Sequence, residues 1–597
     1  MYSPVLKKNY EKTIIKGKIK MKTLKPIKIL FLMLFFFLFI MTSNFSFESS
    51  DGEDNSIAPN GSIKSLDVYS DYKLDLVIQP YVYYPPSSDN PLIYNNINIS
   101  NNPPFPHNEP SVKISRKNPN RVVAAWRDFR INYNPYRKVG YSYSSDGGAT
   151  WSASVLIDST LLGGRLYRNS DPSVTTDTAG NFYITTISKT DTNTYMSLAI
   201  FKSTDGGMTF PVGQVIAQGF LEDKEMVTTD LAPNSPYRNN IYISWRRRAL
   251  NPDIWLIRST NAGMHWSTPV NVSSTNNNRG PEPAVGPNGE VYVVWVGNGF
   301  TTQYFNKSTN GGISFGTPKI IAFGLPPYVP FSKAGNHSFP SIAVDITGGA
   351  RSGYVYVTWC DGRNGDADVF FMRSTDQGSS WSSPVRVNND PVNNGKCQAW
   401  PWIAVNDLGL ISILFYDTRN TPADSIVEAW LAFSSDGGST FSNEVLSSQQ
   451  SPTDQPNQDV RFGDYIGIDF WGNRIVPVWT DERASGHNQE IYTAVIDITT
   501  GIKPVAEQFP DAFKLEQNYP NPFNPVTKIT YELPVSNFVK LVIYDILGRE
   551  IAVLVNEKQL AGKYSVKWDA ANYPSGVYFY KLIAGDFTQT KKMMLLK

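Results

Sequence analysis

The sequence predicts an all-β protein: a β-propeller of six or seven blades, seven being favoured, followed by a small immunoglobulin-like β-sandwich. Three observations carry this. A short turn signature recurs six times at intervals of about 50 to 65 residues, the period of a propeller or solenoid. Each copy follows a segment of alternating apolar residues, the pattern of a half-buried strand. Beyond residue 511 the repeat stops, and five alternating segments follow within about 85 residues, separated by turns containing Gly or Pro.

The composition agrees. Of 597 residues, 13% are aromatic and 18% charged, and Lys+Arg (54) nearly balances Asp+Glu (53), for a formal charge of +1. That balance gives no electrostatic ground for a nucleic-acid partner, which needs a basic excess or stripe. The length exceeds a single hydrophobic core several-fold, and the abundant aromatic residues argue against disorder. Two cysteines, Cys360 and Cys397, make neither a disulfide framework nor a thiolate zinc site. Four dispersed histidines, His107, His265, His337 and His487, make no metal centre. No cofactor is expected, although a structural cation such as calcium is compatible with the carboxylates described below.

Residues 1–46 read as a signal-peptide region. The apolar run from Ile29 to Met41 follows Lys22, Lys25 and Lys28 and precedes polar Thr42, Ser43 and Asn44. It is too short to span a membrane as a helix, so no transmembrane span is expected in the mature protein. Met21 is the expected start, because it gives an n-region of ordinary length. Residues 47–91 are a polar lead-in.

Residues 92–497 hold the repeat. Its six turns are built around Asp146, Asp205, Asn261, Asn310, Asp376 and Asp436, as in Ser145-Asp146-Gly147-Gly148-Ala149-Thr150-Trp151 and Ser374-Thr375-Asp376-Gln377-Gly378-Ser379-Ser380-Trp381. The Asp or Asn binds backbone N–H groups of its own turn, glycine supplies positive φ, and the closing aromatic packs the turn on its sheet. Strands at 341–346, 354–359, 368–373 and 384–388 make one four-stranded meander, a propeller blade. A seventh copy, at 465–469, 475–479 and 490–495, lacks an outer strand. The segment from Tyr94 to Pro103 resembles the fourth strand of a full blade and can supply it, closing the ring and removing an open sheet edge.

The six turns resemble the Asp-box, or bacterial neuraminidase repeat, of the sialidase-like propeller superfamily. The resemblance implies a propeller over residues 92–497 but no particular activity, because this turn is structural and occurs in enzymes and non-enzymes alike.

In such a meander the Asp-box turns share one face of the disc, and the second-to-third loops and blade-to-blade connections share the other. The resemblance places ligand sites on that second face, where a further pattern repeats: Trp126-Arg127-Asp128-Phe129-Arg130, Trp359-Cys360-Asp361-Gly362-Arg363, Tyr416-Asp417-Thr418-Arg419 and Trp479-Thr480-Asp481-Glu482-Arg483. One reading gathers Arg130, Arg363, Arg419 and Arg483 on a ligand carboxylate, as the arginine triad of sialidases does. The favoured one pairs each Asp and Arg as a clamp between neighbouring blades. Carboxylates also recur where blades begin: Glu109, Asp171 and Glu282 before Pro, with Glu225 and Asp464 in comparable places. They either ring the central channel, where they hold a cation or act as acid and base, or partner the same arginines.

The sialidase catalytic pattern is otherwise unmatched. The Phe-Arg-Ile-Pro signature is absent, the loop from Ile131 to Lys138 has no carboxylate, and no Tyr–Glu nucleophile pair is assigned. Cys360 and Cys397 fall on the ligand face, and a disulfide joining two blades is expected there. Trp400 is the candidate for stacking on a sugar, whereas Trp402 reads as inward-facing core.

After a linker at 498–511, residues 512–597 carry strands at 527–532, 539–545, 549–554, 563–568 and 576–583. The run Tyr519-Pro520-Asn521-Pro522-Phe523-Asn524-Pro525, the turn Tyr544-Asp545-Ile546-Leu547-Gly548-Arg549, the stretch Ser575-Gly576-Val577-Tyr578-Phe579-Tyr580 and the basic segment from Lys591 to Lys597 are similar to the type A C-terminal sorting domain of the type IX secretion system. This implies a secreted or outer-membrane-surface protein of a Gram-negative bacterium, with the secretion machinery as partner. For the propeller the leading expectation is binding of an extracellular glycan or protein. A glycoside hydrolase or lyase, needing two carboxylates about 5–10 Å apart, and a structural surface module are the alternatives.

Overall fold

The computed structural model describes residues 94–101, 105–130, 137–163, 166–190, 196–218, 221–248, 253–273, 277–326, 339–423, 425–453, 462–483, 489–498, 512–533, 537–559, 562–585 and 587–597. The signal-peptide region, the lead-in and the linker beyond residue 498 lie outside them. One 3-10 turn, Ser159–Leu162, interrupts an otherwise all-strand molecule among these residues.

Between residues 97 and 497 the strands group into seven antiparallel sheets, numbered as blades 1 to 7 in chain order. Blade 1 is the meander His107–Ile114, Val122–Asp128, Lys138–Ser144 and Val155–Leu156. The innermost strands of the other blades are Leu166–Thr176, Glu222–Thr229, Arg279–Val285, Ser341–Val344, Gln398–Val405 and Gly467–Trp471. Each touches the next, and the last touches His107–Ile114. In blade 7 the N-terminal strand Ile97–Asn98 takes the place of the missing outer strand, with Ile97 opposite Thr493 and Asn98 opposite Tyr492.

The second strands supply the core. Trp126, Trp245, Trp295, Trp359 and Trp479 are all fully buried, each a large apolar area withdrawn from water between adjacent blades. Where the ring closes, Ile99 packs with Val112, Ile114 and Trp126 of blade 1 and Val476, Val478 and Ile491 of blade 7.

Polar links repeat between blades. On the innermost strands Ser111 Oγ accepts the Val174 N–H, Ser173 Oγ the Val227 N–H and Ser341 Oγ the Ile403 N–H, at 3.0, 3.1 and 3.2 Å. On the Asp-box face the basic residue just before four of the boxes reaches a carbonyl of the next blade's box: Lys202 to Ala262 at 3.2 Å, Arg258 to Gly311 at 2.7 Å, Lys307 to Gln377 at 3.0 Å and Arg373 to Gly437 at 2.7 Å.

The boxes themselves are closed units. In the first, Gly148 N–H donates to Ser144 Oγ at 2.7 Å, Thr150 N–H to Asp146 Oδ1 at 2.9 Å and the Trp151 indole to Gly148 O at 3.0 Å. Gly148 sits at φ +97, which a Cβ would strain and which would also bring that Cβ within 2.8 Å of Val495. Asp205, Asn261, Asn310, Asp376 and Asp436 accept the equivalent N–H at 3.0, 2.8, 3.1, 2.8 and 3.0 Å.

The C-terminal domain is a two-sheet sandwich. One sheet is Lys514–Leu515, Val526–Leu533 and Gly562–Asp569, and the other has the order Glu550–Gln559, Asn537–Tyr544, Gly576–Ala584, Phe587–Leu595. The last of these strands and the short one at 514–515 are absent from the sequence reading. Phe587–Leu595 alternates polar and apolar residues only weakly until its buried Met593 and Leu595.

Candidate functional site

The innermost strands of blades 1, 2, 3, 4 and 6 begin earlier than their apolar pattern suggests, because each crosses a β-bulge near the ring axis. The register shifts between Asn108 and Ser111, Ser170 and Ser173, Asp223 and Met226, Arg279 and Glu282, and Ala399 and Trp402. At each bulge one residue adopts positive φ: Glu109 (54), Asp171 (54), Lys224 (52), Gly280 (56) and Trp400 (53). Bulges re-aim side chains. Here they bring groups from four blades together.

Lys224 of blade 3 is the hub of this cluster. Its ammonium lies 3.8 Å from Glu109 Oε1 of blade 1 and 3.7 Å from Asp171 Oδ2 of blade 2, and it donates to Asp464 of blade 7. Phe339 and Tyr465 flank it at 6.0 and 5.8 Å from their ring centres, a cation–π setting. Arg127 adds a second cation 3.3 Å from Glu109. Tyr465 OH donates to Pro172 O at 3.3 Å, spanning the axis from blade 7 to blade 2. Lys224 and Asp464 keep 10% and 15% of their side-chain surface exposed, whereas Glu109 and Asp171 keep 1% each.

Electrostatics divides the carboxyls. Burial raises Glu109 against the pull of Arg127 and Lys224, to about 8. Glu225 is pushed well above the ordinary range by burial and then by Asp171. It is fully buried, and neither of its oxygens takes a hydrogen bond from another residue among the described residues. Burial would lower the Lys224 ammonium, but Asp464, Glu109 and Asp171 outweigh it and hold Lys224 charged well above its ordinary range. The cluster therefore holds a fixed cation, Lys224, beside a carboxyl, Glu109, that burial raises to about 8.

The repeated Asp–Arg pairs do something else. Each arginine folds back on the aspartate two residues before it: Arg130 on Asp128 at 2.6 Å, Arg363 on Asp361 at 2.6 Å, Arg419 on Asp417 at 2.7 Å and Arg483 on Asp481 at 2.5 Å. The aspartates are 0–2% exposed. Trp126, Trp359 and Trp479 donate their indole N–H to the same carboxylates, at 3.2, 2.8 and 2.9 Å. In blade 6 the equivalent aromatic is Phe415, and Gln398 donates to Asp417 at 3.0 Å instead. The guanidinium planes of Arg363, Arg419 and Arg483 lie 4.1–4.4 Å from the ring centres of Phe370, Trp430 and Tyr492, cross-strand neighbours in the same blade. Each arginine thus closes first on the Asx-turn of its own blade, and the expected link between blades is made as well by Arg419, which donates to Asn389 Oδ1 of the blade 5 connection, and by Arg483, which donates to Ser448 Oγ beyond blade 6's outer strand at 2.8 Å. The arginines do not gather on a common ligand position.

Two further candidates take other places than expected. Glu282 is not a free ligand group: its Oε2 accepts the Ile342 N–H of blade 5 at 3.0 Å, the same link that Ser111, Ser173 and Ser341 make. Trp400 is 6% exposed and packs on Phe462 and Tyr416. The bulge turns its side chain inward, whereas Trp402, expected in the core, is half-buried and lies 5.9 Å from Tyr465. Cys360 and Cys397, the pair expected to form a disulfide, are both buried. Cys360 packs as a small apolar residue in the core shared by blades 5, 6 and 7.

Sequence reasoning missed Lys224, the hub. Its signal was an inverted charge at the position where blades 1 and 2 carry Glu109 and Asp171. It also missed His107, a fully buried residue 3.3 Å from Asp128 and 3.4 Å from Glu490 of blade 7. Burial alone would lower His107, but the two carboxylates outweigh it and raise it to about 9. No group of residues suited to holding a metal ion occurs among the described residues.

Residues 517–596 match the family model described as the secretion system C-terminal sorting domain. No curated protein matches the chain. Among solved structures, an ulvan lyase is 11% identical with a TM-score of 0.42, the match covering 68% of this chain and 96% of that one. PorZ, a surface component of the type IX secretion system of Porphyromonas gingivalis, is 15% identical with a TM-score of 0.38, covering 80% and 58%. The NanB sialidase of Streptococcus pneumoniae is 12% identical with a TM-score of 0.34, covering 68% and 70%. Likenesses at this level assign no activity.

Proposed function

We infer from the sorting domain that this protein is secreted by, or displayed on the outer membrane of, a Gram-negative bacterium. We propose that its propeller is a seven-bladed ring that binds an extracellular glycan or protein at the axial mouth. Lys224 and Asp464 would supply the polar contacts there, and Trp402 and Tyr465 the apolar ones. The observation that carries this reading is the contrast between the two polar systems on this face. Each Asp–Arg pair joins two residues of one loop, whereas Lys224 is reached by carboxylates from three other blades, 1, 2 and 7. Polar groups converging beside aromatic surface are what a carbohydrate or peptide site needs.

Glu225 favours a second reading, a glycoside hydrolase or lyase. A carboxyl that burial pushes well above its ordinary range is what a general acid requires. Its complete burial places it behind the mouth rather than in it.

A glycan array and a reducing-end assay on the same panel separate the two. Binding without release of reducing ends, lost in Lys224→Met with Asp464→Asn but kept in Asp361→Asn, supports the binding protein. Turnover abolished by Glu225→Gln with binding retained supports the hydrolase. Binding that survives the axial double variant and fails in Asp361→Asn overturns the site.

A further inference from the structure

Lys224 and Asp464 stand 240 residues apart in the chain, in blades 3 and 7, and their side chains meet at the ring axis, where the ammonium donates to the carboxylate. Both are held where they meet. Lys224 sits in the bulge between Asp223 and Met226, and the loop that carries Asp464 is fixed on either side. Before it, Gly463 at φ +105 packs so closely on blade 1 that a Cβ would lie 3.1 Å from Glu109 Cγ and 3.2 Å from Glu109 N. After it, Tyr465 OH donates to Pro172 O at 3.3 Å. The rings of Phe339 and Tyr465 flank the ammonium at 6.0 and 5.8 Å, and only 10% of Lys224 and 15% of Asp464 side-chain surface is exposed.

A third group completes the set. Glu109 Oε1 lies 3.8 Å from Lys224 Nζ, and Glu109 Oε2 is buried without a hydrogen bond among the described residues. Burial raises Glu109 to about 8 against the pull of Arg127 and Lys224, so a carboxyl proton is available there near neutral pH. An amine, a carboxylate fixed against it and a neutral acid, walled by aromatic rings, are the parts from which an amide forms. A second lysine–aspartate pair between innermost strands lacks them. Lys113 lies 3.6 Å from Asp469 with 30% of its side chain exposed, and Arg116 occupies both Asp469 oxygens at 2.8 and 2.9 Å.

We propose that Lys224 and Asp464 are a covalent modification site, at which the two side chains condense to an isopeptide bond that ties blade 3 to blade 7 across the axis, with Glu109 as proton shuttle. Lys224 first passes one proton to the Asp464 carboxylate. The freed Nζ lone pair forms a bond to Asp464 Cγ while Glu109 protonates the carbonyl oxygen. Glu109, now a carboxylate, takes a proton from the nitrogen and gives it to one of the two hydroxyls on Cγ, whose C–O bond breaks as water leaves. The remaining hydroxyl returns its proton to Glu109, and its oxygen becomes the amide carbonyl. One water is released, no oxidant or cofactor is consumed, and Glu109 ends as it began. Burial favours the free amine, but Asp464, Glu109 and Asp171 favour the ammonium more strongly, so the first transfer is uphill. The reaction need occur only once per molecule, and fixed geometry offsets the cost, since effective molarities of well-oriented groups reach about 10⁵ to 10⁸ M. The low exposure of the pair keeps water from reversing the bond. The amide leaves an N–H donor and a C=O acceptor at the mouth, and its formation does not depend on whether a glycan binds there.

The test is peptide mapping by mass spectrometry of the purified full chain, denatured and digested with trypsin in the absence of any ligand. The expected product is a branched species that joins the Lys224 and Asp464 peptides, one water lighter than their sum and uncleaved after Lys224, while cleavage after Lys113 is complete. Asp464→Ala gives two linear peptides. Glu109→Gln lowers the linked fraction by roughly tenfold or more at equal time after synthesis, and Glu109→Asp, which keeps an acid there, links where Glu109→Gln does not. The wild-type map decides the bond by itself, whatever the stability of the variants. Complete cleavage of the wild type after Lys224, a bond from Lys224 to Asp171 in place of Asp464, or linking of Glu109→Gln as fast as the wild type overturns the proposal.

Discussion

Asp361 shows how a residue can look catalytic in a sequence and be structural in the fold. An aspartate in a loop beside an aromatic and an arginine has the composition of an active site. Yet its carboxylate is 2% exposed and is shared between Arg363 and the Trp359 indole. Breaking one side of a buried, hydrogen-bonded pair leaves the other uncompensated, so Asp361→Asn lowers unfolding stability by about 2–4 kcal/mol. Denaturant melts of the isolated variant measure this, and an unchanged midpoint refutes the clamp. The four copies were legible as a pattern, but their hand was not. Whether an arginine bonds only within its own blade, as Arg363 does, or also reaches a neighbouring one, as Arg419 and Arg483 do, depends on loop geometry that sequence does not carry. The Lys224 cluster was legible only in part, since Glu109, Asp171, Glu225 and Asp464 stood out where blades begin and the lysine did not.

At the scale of the element, the repeated strand and turn chemistry specifies the blades, and a pairing far apart in sequence specifies closure. The six Asp-boxes and the alternating strands were readable because each is local. The inward swing of Trp400 was not, because it follows from a bulge before Pro401, where proline hides the continuing strand from a propensity argument. Ile97–Asn98 completes blade 7, and just beyond it Ile99 is 2% exposed. Ile99→Ala costs about 2–4 kcal/mol, the range for truncating a packed aliphatic side chain. Hydrogen exchange after that change shows faster exchange in Glu490–Thr493 and in His107–Ile114, the two strands at the seam. Faster exchange spread evenly over all blades would instead deny that the ring closes there.

Over the whole molecule, the near-zero charge conceals opposed buried sites whose linkages share one sign above neutrality. His107 is raised from 6.5 to about 9, so the stability it contributes is complete below 6.5 and is lost as pH rises through 9. Glu109 and Glu282 are raised from 4.5 to about 8 by burial, so folding is increasingly penalised as pH rises from 4.5 to 8. On the acid side Asp469, held at about 2 by Arg116 and Lys113 against its burial, supports the fold above 3.8 and releases that support below it. Stability therefore peaks near pH 4 to 4.5 and declines toward pH 9, the loss steepening once His107 also begins to lose its proton. Melting temperature against pH checks this, and His107→Gln flattens the alkaline limb. The central claim is that the axial mouth, and not the Asp-box face or the Asp–Arg clamps, meets the ligand. It is tested most directly by hydrogen exchange of the protein with and without a glycan that it binds. The account predicts slowed exchange at 223–226 and 462–465, around Lys224 and Asp464, and none at the Asp-box turns 374–381 and 434–441. Protection of those turns with an unchanged axis would contradict it.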